Sequence, residues 1–241
     1  MSRYIVILAI VMALLMPAAI YGKDKSPLCF TARNGSVTVR FDVKNYVIPT
    51  VQYSADGKRN VKDVLISHDI QYSTDGKNWK KYVSGSSVTI DAEQSVCFRA
   101  ERNQIVANAF AYLFFSPASS RSTIYFSQFY FSSDNGGTIE GSVNIMSLYG
   151  PDCPDLPLQE CAFYNIFKDC KLLTAAPCLP STTLAEYCYA GMFSGCTSLT
   201  TAPSLPAVKL ARHCYAGMFK GCTSLTEVPS LPAVTLAKYC Y

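Results

Sequence analysis

The stretch that decides the architecture is Gly195-Cys196-Thr197-Ser198-Leu199-Thr200-Thr201-Ala202-Pro203-Ser204-Leu205-Pro206, continuing through Leu210-Ala211-Arg212-His213-Cys214-Tyr215-Ala216-Gly217-Met218-Phe219-Lys220-Gly221-Cys222. Shifted by 26 residues, the sequence overlays itself. Leu173, Leu199 and Leu225 fall in one column, and so do Leu184, Leu210 and Leu236. Cys188, Cys214 and Cys240 make a third, Phe193 and Phe219 a fourth, and Cys196 and Cys222 a fifth. A degenerate earlier copy keeps the register with Pro151, Pro154, Leu158, Ile166, Phe167 and Cys170. These columns are read as the repeat core. A unit this short cannot bury its own apolar positions and must stack on its neighbours.

Each unit divides into two halves. The first is bounded by prolines, which remove a backbone donor and disfavour helix in the preceding residue, so it is extended. In the second, Leu210, Cys214, Met218 and Cys222 recur every fourth residue with Ala211 and Phe219 beside them. That spacing predicts one buried stripe of a short helix. Thr183 and Glu186 provide a capping box for the equivalent helix one unit earlier.

The phrase from Gly195 to Cys222 resembles the BspA-like leucine-rich repeats of surface proteins from anaerobic bacteria, in which a "CxxLxxaxxLP" strand half alternates with an "AFxxC" helix half. Asn144-Ile145-Met146-Ser147-Leu148 resembles the junction that precedes such arrays. The resemblance covers about residues 142 to 241. It implies an exported, cell-surface or secreted protein that adheres to host proteins or matrix. The chain departs from that pattern in having few repeats and in stopping mid-unit at Tyr241, which leaves an end open to end-to-end self-association.

Upstream, the composition changes to Ser, Thr, Val, Tyr and Phe. Ser36 to Val43 alternates apolar and polar residues with a period of two, and Ser87 to Ile90, Ser95 to Ala100 and Thr123 to Phe131 read as further strands. Asn34-Gly35, Asp56-Gly57, Asp75-Gly76 and Asn135-Gly136 supply hairpin turns. The expected fold is therefore mixed and multidomain: an antiparallel β-sandwich over residues 26 to 146, then a short α/β leucine-rich-repeat solenoid over 147 to 241. Met1 to Gly22 reads as a signal peptide, with an apolar run from Tyr4 to Ile20 that ends at Lys23-Asp24-Lys25. No later run is long enough to span a bilayer, so no transmembrane helix is expected in the mature chain.

Chemistry is sparse. The formal net charge of +4 is too small to imply nucleic acid. The only two histidines, His68 and His213, are far apart and no CxxC occurs, so neither a metal site nor a cofactor site is expected. Cys214 and His213 are adjacent and do not form a nucleophile and base; no catalytic residue is assigned. Asp152 and Asp155, beside Pro151 and Pro154, read as a polar turn. Most of the eleven cysteines sit in repeat columns and read as small buried hydrophobes, with bridges between neighbouring columns left open. The expected function is binding or adhesion to an extracellular protein or matrix ligand through the repeats, without enzymatic activity. The alternative is a carbohydrate-binding surface protein in which Tyr72, Trp79 and Tyr82 of the β-module stack on a glycan. Packing across a strand pair competes with that role.

Overall fold

The computed structural model describes residues 26–42, 46–53, 59–66, 70–101, 127–142, 144–148, 158 and 160–241. The leader, the Asp56-Gly57 turn and the Asp152/Asp155 pair lie outside the described residues. The antiparallel part contains β1 (Leu28–Arg33), β2 (Val37–Asp42), β3 (Tyr46–Tyr53), β4 (Arg59–Ile66), β5 (Ile70–Ser73), β6 (Lys80–Lys81), β7 (Ser87–Ile90), β8 (Ser95–Ala100), β9 (Gln128–Ser132) and β10 (Thr138–Ser142). A short strand, β11 (Leu173–Ala175), follows in the first repeat.

Alternation has its expected consequence in β1 and β2, where every second side chain is buried. The turn residues also behave as their types require: Asn34, Gly76 and Gly136 all take positive φ. The strands form a six-stranded sheet in the order β11-β10-β1-β8-β5-β6 and a three-stranded sheet in the order β7-β2-β9, with β3 and β4 pairing separately. The two larger sheets meet through aromatic rings. Phe30 and Phe98 of the first pack edge-on against Phe129 of the second at 4.9 and 5.3 Å, and Phe41 lies parallel to Phe129 at 4.0 Å. Cys29 faces Cys97 across β1 and β8, and the two are joined by a disulfide. A 3-10 turn at Ile145–Leu148, all four residues buried, closes the core: Ser147 Oγ accepts from the Leu28 N–H at 2.7 Å and donates to the Phe98 carbonyl at 3.2 Å.

The repeats correct the expected α/β solenoid. Among the described residues there is no α-helix, and the segments read as helical are runs of turns. Positive φ recurs every fourth residue: Cys161, Asn165 and Asp169 in the first coil, Tyr187, Gly191 and Gly195 in the second, His213, Gly217 and Gly221 in the third. Left-handed residues at that interval prevent continuous α-helix. The four-residue spacing of the apolar stripe was itself a clue, because each step of four overshoots an α-helical turn by about 40°. Thr183 and Glu186 cap nothing. Thr183 bridges to Lys209, and Glu186 pairs with Arg212 at 3.4 Å.

What replaces the helix is a two-way division of the backbone. Alternate residues donate within their own coil, as Met192 does to the Tyr189 carbonyl and Ser194 to that of Gly191. The residues between them donate to the next coil: Gly191 to Ala216, Phe193 to Met218, Gly195 to Lys220. In the second coil every backbone N–H from Tyr187 to Thr197 is thereby satisfied without helix or regular strand. The extended halves stack in parallel through single bridges, Ala175 with Thr201, Thr183 with Lys209 and Lys209 with Thr235.

The β-sheets and the coils share one core. β11 pairs in parallel with β10. β9 lies on the first coil, with the Phe129 N–H donating to the Ile166 carbonyl at 2.9 Å and Gln128 Nε2 to the Lys168 carbonyl at 2.7 Å. Phe129 then begins a column of parallel rings: Phe167 at 5.4 Å, Phe193 at 5.5 Å beyond it, and Phe219 at a further 5.9 Å. Aromatic residues crowd β9 because one face of the strand, with Phe129 and Phe131, serves both the sheets and the coils, while Tyr130 faces outward under the Arg40 guanidinium.

Candidate interaction surface

The three residues considered for glycan stacking occupy unlike environments. Tyr82 is buried, its hydroxyl accepting from the Phe41 N–H at 2.8 Å and donating to the Ser86 carbonyl. Tyr72 packs edge-on against it at 5.9 Å. Trp79 is half-buried, and the Arg99 guanidinium covers one face of its ring at 3.9 Å, oriented by a 3.1 Å hydrogen bond from Arg99 Nε to Gln71 Oε1. The hairpin is shaped by Asp75, whose carboxylate accepts from the Lys77 and Asn78 N–H groups at 2.9 and 2.7 Å. Those bonds, with others from Asn78 and Ser73 side chains, hold its pKa well below the usual carboxylate range. Its lone pairs are used in making the turn.

The assigned repeat-core residues grade from buried to exposed along the stack. Leu173, Cys188, Phe193, Cys196, Leu199 and Cys214 are buried, while Leu184, Leu210, Phe219, Cys222 and Leu225 are partly so. Leu236, in the last coil, is 65% exposed. Three of the coil cysteines act as hydrogen-bond donors. The thiols of Cys170, Cys196 and Cys222 donate to the carbonyls of Phe129, Phe167 and Phe193 at 3.1, 3.0 and 3.1 Å, the same bond made three times along the stack. Burial pushes the thiols of Cys161 and Cys196 up to about 12 and that of Cys214 to about 11. At neutral pH they remain protonated and unreactive.

A surface feature emerges that residue-by-residue reading of the sequence passed over. Tyr187, His213 and Tyr239 occupy one column and stack with nearly parallel rings, 4.5 Å from Tyr187 to His213 and 4.8 Å from His213 to Tyr239. Each holds positive φ, and each is partly or largely exposed. Charges of both signs flank the ladder: Glu186 paired with Arg212, and the Lys238 ammonium 5.0 Å from the Tyr239 ring. The available signal was the column itself, since an aromatic or imidazole ring precedes each column cysteine: Tyr187 before Cys188, His213 before Cys214, Tyr239 before Cys240.

Beyond the fold, comparison adds no relative: no protein-family model, no curated protein and no solved structure matches the chain.

Proposed function

We propose that this chain is an exported binding protein, displayed at the cell surface or secreted, that engages an extracellular protein or matrix ligand through the side of its coil stack. The observation that carries the reading is the Tyr187, His213 and Tyr239 ladder, a regular row of rings with charges of both signs beside it. Aromatic residues offer large contact area at low entropic cost, and an Arg beside them is the common company of an interaction hot spot. The stack beneath is fixed by hydrogen bonds from coil to coil, so the row is preorganised. The Cys29–Cys97 disulfide supports export, because such bonds form in oxidising compartments.

The test is binding of the full chain to immobilised extracellular-matrix proteins. The double variant Tyr187→Ser/Tyr239→Ser is expected to lose at least tenfold in affinity with an unchanged circular-dichroism spectrum, and Trp79→Ala to bind as the parent does. Loss of binding in Trp79→Ala with the ladder variant unaffected would transfer recognition to the β-sheet hairpin and overturn the proposal.

A further inference from the structure

The ladder of Tyr187, His213 and Tyr239 runs beside a second column. In each coil the residue before the ladder position is charged, and the column reads Glu160, Glu186, Arg212, Lys238: acid, acid, base, base. The backbone holds the two columns side by side. The N–H groups of Cys161, Tyr187 and His213 donate to the carbonyls of Glu186, Arg212 and Lys238 at 2.9, 3.2 and 3.2 Å. Glu160, Arg212 and Lys238 are exposed and Glu186 is partly so. Burial raises the Cys161 thiol first, and the charges of Glu160 and Glu186 raise it further, so both carboxylates lie at the end of the stack that begins with the first coil.

This side of the molecule therefore carries a dipole along the stack, negative on the first two coils and positive beyond them. The Glu186–Arg212 pair, at 3.4 Å, crosses its midpoint. A row ordered in this way is its own complement when turned end for end. A two-fold axis lying across the row at that midpoint sets Glu160 opposite Lys238 and Glu186 opposite Arg212, each contact made twice. The internal Glu186–Arg212 pairs of two copies then close a quartet of alternating charge, and a network of this kind holds where an isolated surface pair contributes little. The same rotation sets Tyr187 opposite His213. The faces of those rings are taken up by stacking on each other at 4.5 Å, so they meet a partner by their edges, where a hydroxyl can donate to an imidazole nitrogen.

We infer that the partner engaged at this surface is a second copy of the chain, docked side to side and antiparallel through the ladder and its charged column. The inference rests on the reading of the ladder as a binding surface. A parallel register would set like charges on one another, and a uniformly acidic or basic partner would be repelled along half of the row. Displayed in many copies on facing surfaces, chains paired in this way would give homotypic adhesion whose strength comes from multivalency.

Sedimentation equilibrium of the full chain tests it. The parent is expected to dimerise reversibly. Glu160→Lys/Glu186→Lys makes the column wholly basic, and Arg212→Glu/Lys238→Glu makes it wholly acidic. Each variant alone is expected to weaken dimerisation at least tenfold with an unchanged circular-dichroism spectrum. An equimolar mixture of the two is expected to associate at least as well as the parent, because every facing pair is again opposite in sign. A parent chain that stays monomeric overturns the inference. So does a variant that dimerises as the parent does, or a mixture that fails to associate while both variants keep the parent spectrum. If the monomeric parent still binds an immobilised matrix protein that Tyr187→Ser/Tyr239→Ser fails to bind, this inference falls and the proposed function stands. If Tyr187→Ser/Tyr239→Ser both binds and dimerises as the parent does, the two fall together.

Discussion

The side-chain amide of Asn165 lies over Gly191 of the next coil so closely that a Cβ placed on that glycine would collide with Asn165 Oδ1; Asp169 stands in the same relation to Gly195. Asn165 and Asp169 hold the left-handed positions of the first coil, and glycines hold them in the second. Asn and Asp are the non-glycine residues that enter that conformation most readily. The two arrangements are complementary: a side chain on one coil occupies space that the next has left vacant.

Gly191→Ala should therefore cost more than Gly217→Ala. Both alanines are forced to positive φ, a cost of about 1 kcal/mol, but a Cβ at Gly217 meets nothing within 4 Å. Gly191→Ala should lose roughly 1–2 kcal/mol more, as with other overpacked sites, and Asn165→Gly should restore part of that excess. Urea midpoints of the three variants measure it; equal costs at the two glycines would mean that Asn165 moves aside freely.

Phe129→Ala should destabilise the whole molecule, not only the sheets. Its ring contacts Phe41, Phe30, Phe98 and Phe167, so the loss is expected near the 3–5 kcal/mol of a fully buried phenylalanine. Phe219→Ala, partly exposed at the far end of the same column, should cost less than half as much. Near-ultraviolet and far-ultraviolet signals should melt together in both variants. A separate transition for the coils would show that the column does not join them to the sheets.

How far the sequence carried the fold can be judged from these same residues. The period of 26 places every coil in register, and the strict alternation in Val37 to Asp42 places β2 correctly. The sequence points to a helix here because Leu210, Cys214, Met218 and Cys222 satisfy a helical template about as well as a four-residue turn period. The difference lay in Gly217 and Gly221, each about 1 kcal/mol unfavourable in a helix, and in non-glycine positive-φ positions such as His213 that no propensity scale marks. The role of β9 as the start of the stack was not legible either. Phe129 is separated from Phe167 by a long stretch of chain, and nothing local says that a β-strand will stand in for a coil.

The coil thiols make alkaline stability predictable. Folding raises Cys161 and Cys196 from an ordinary value of 9.0 up to about 12, and Cys214 up to about 11. Between those limits the folded chain binds more protons than the unfolded one. Their contribution is thus fully present below pH 9 and is lost as pH rises through about 11 to 12. Urea midpoints should fall steeply above pH 9, and Cys196→Ala should flatten that fall while lowering stability at pH 7. A fall of unchanged steepness in Cys196→Ala would assign it to groups other than this thiol.

Reduction offers the last prediction. Cys29 and Cys97 close a loop with a sequence separation of 68, and the bridge joins β1 to β8 at the middle of the six-stranded sheet. Constraining the unfolded chain over such a loop is worth about 2–4 kcal/mol, so Cys29→Ser/Cys97→Ser should lower stability by that amount. The coil cysteines should contribute no further bridge: Cys188, Cys214 and Cys240 point their sulfurs into apolar slots, the first two towards the carbonyls of the coil ahead. Among the described free cysteines, mass spectrometry after alkylation under native conditions should find the partly exposed Cys178 and Cys222 modified first, with the buried coil cysteines reacting only once urea is added. A third and fourth cysteine lost to a disulfide within the stack would contradict the reading of those columns as packing positions.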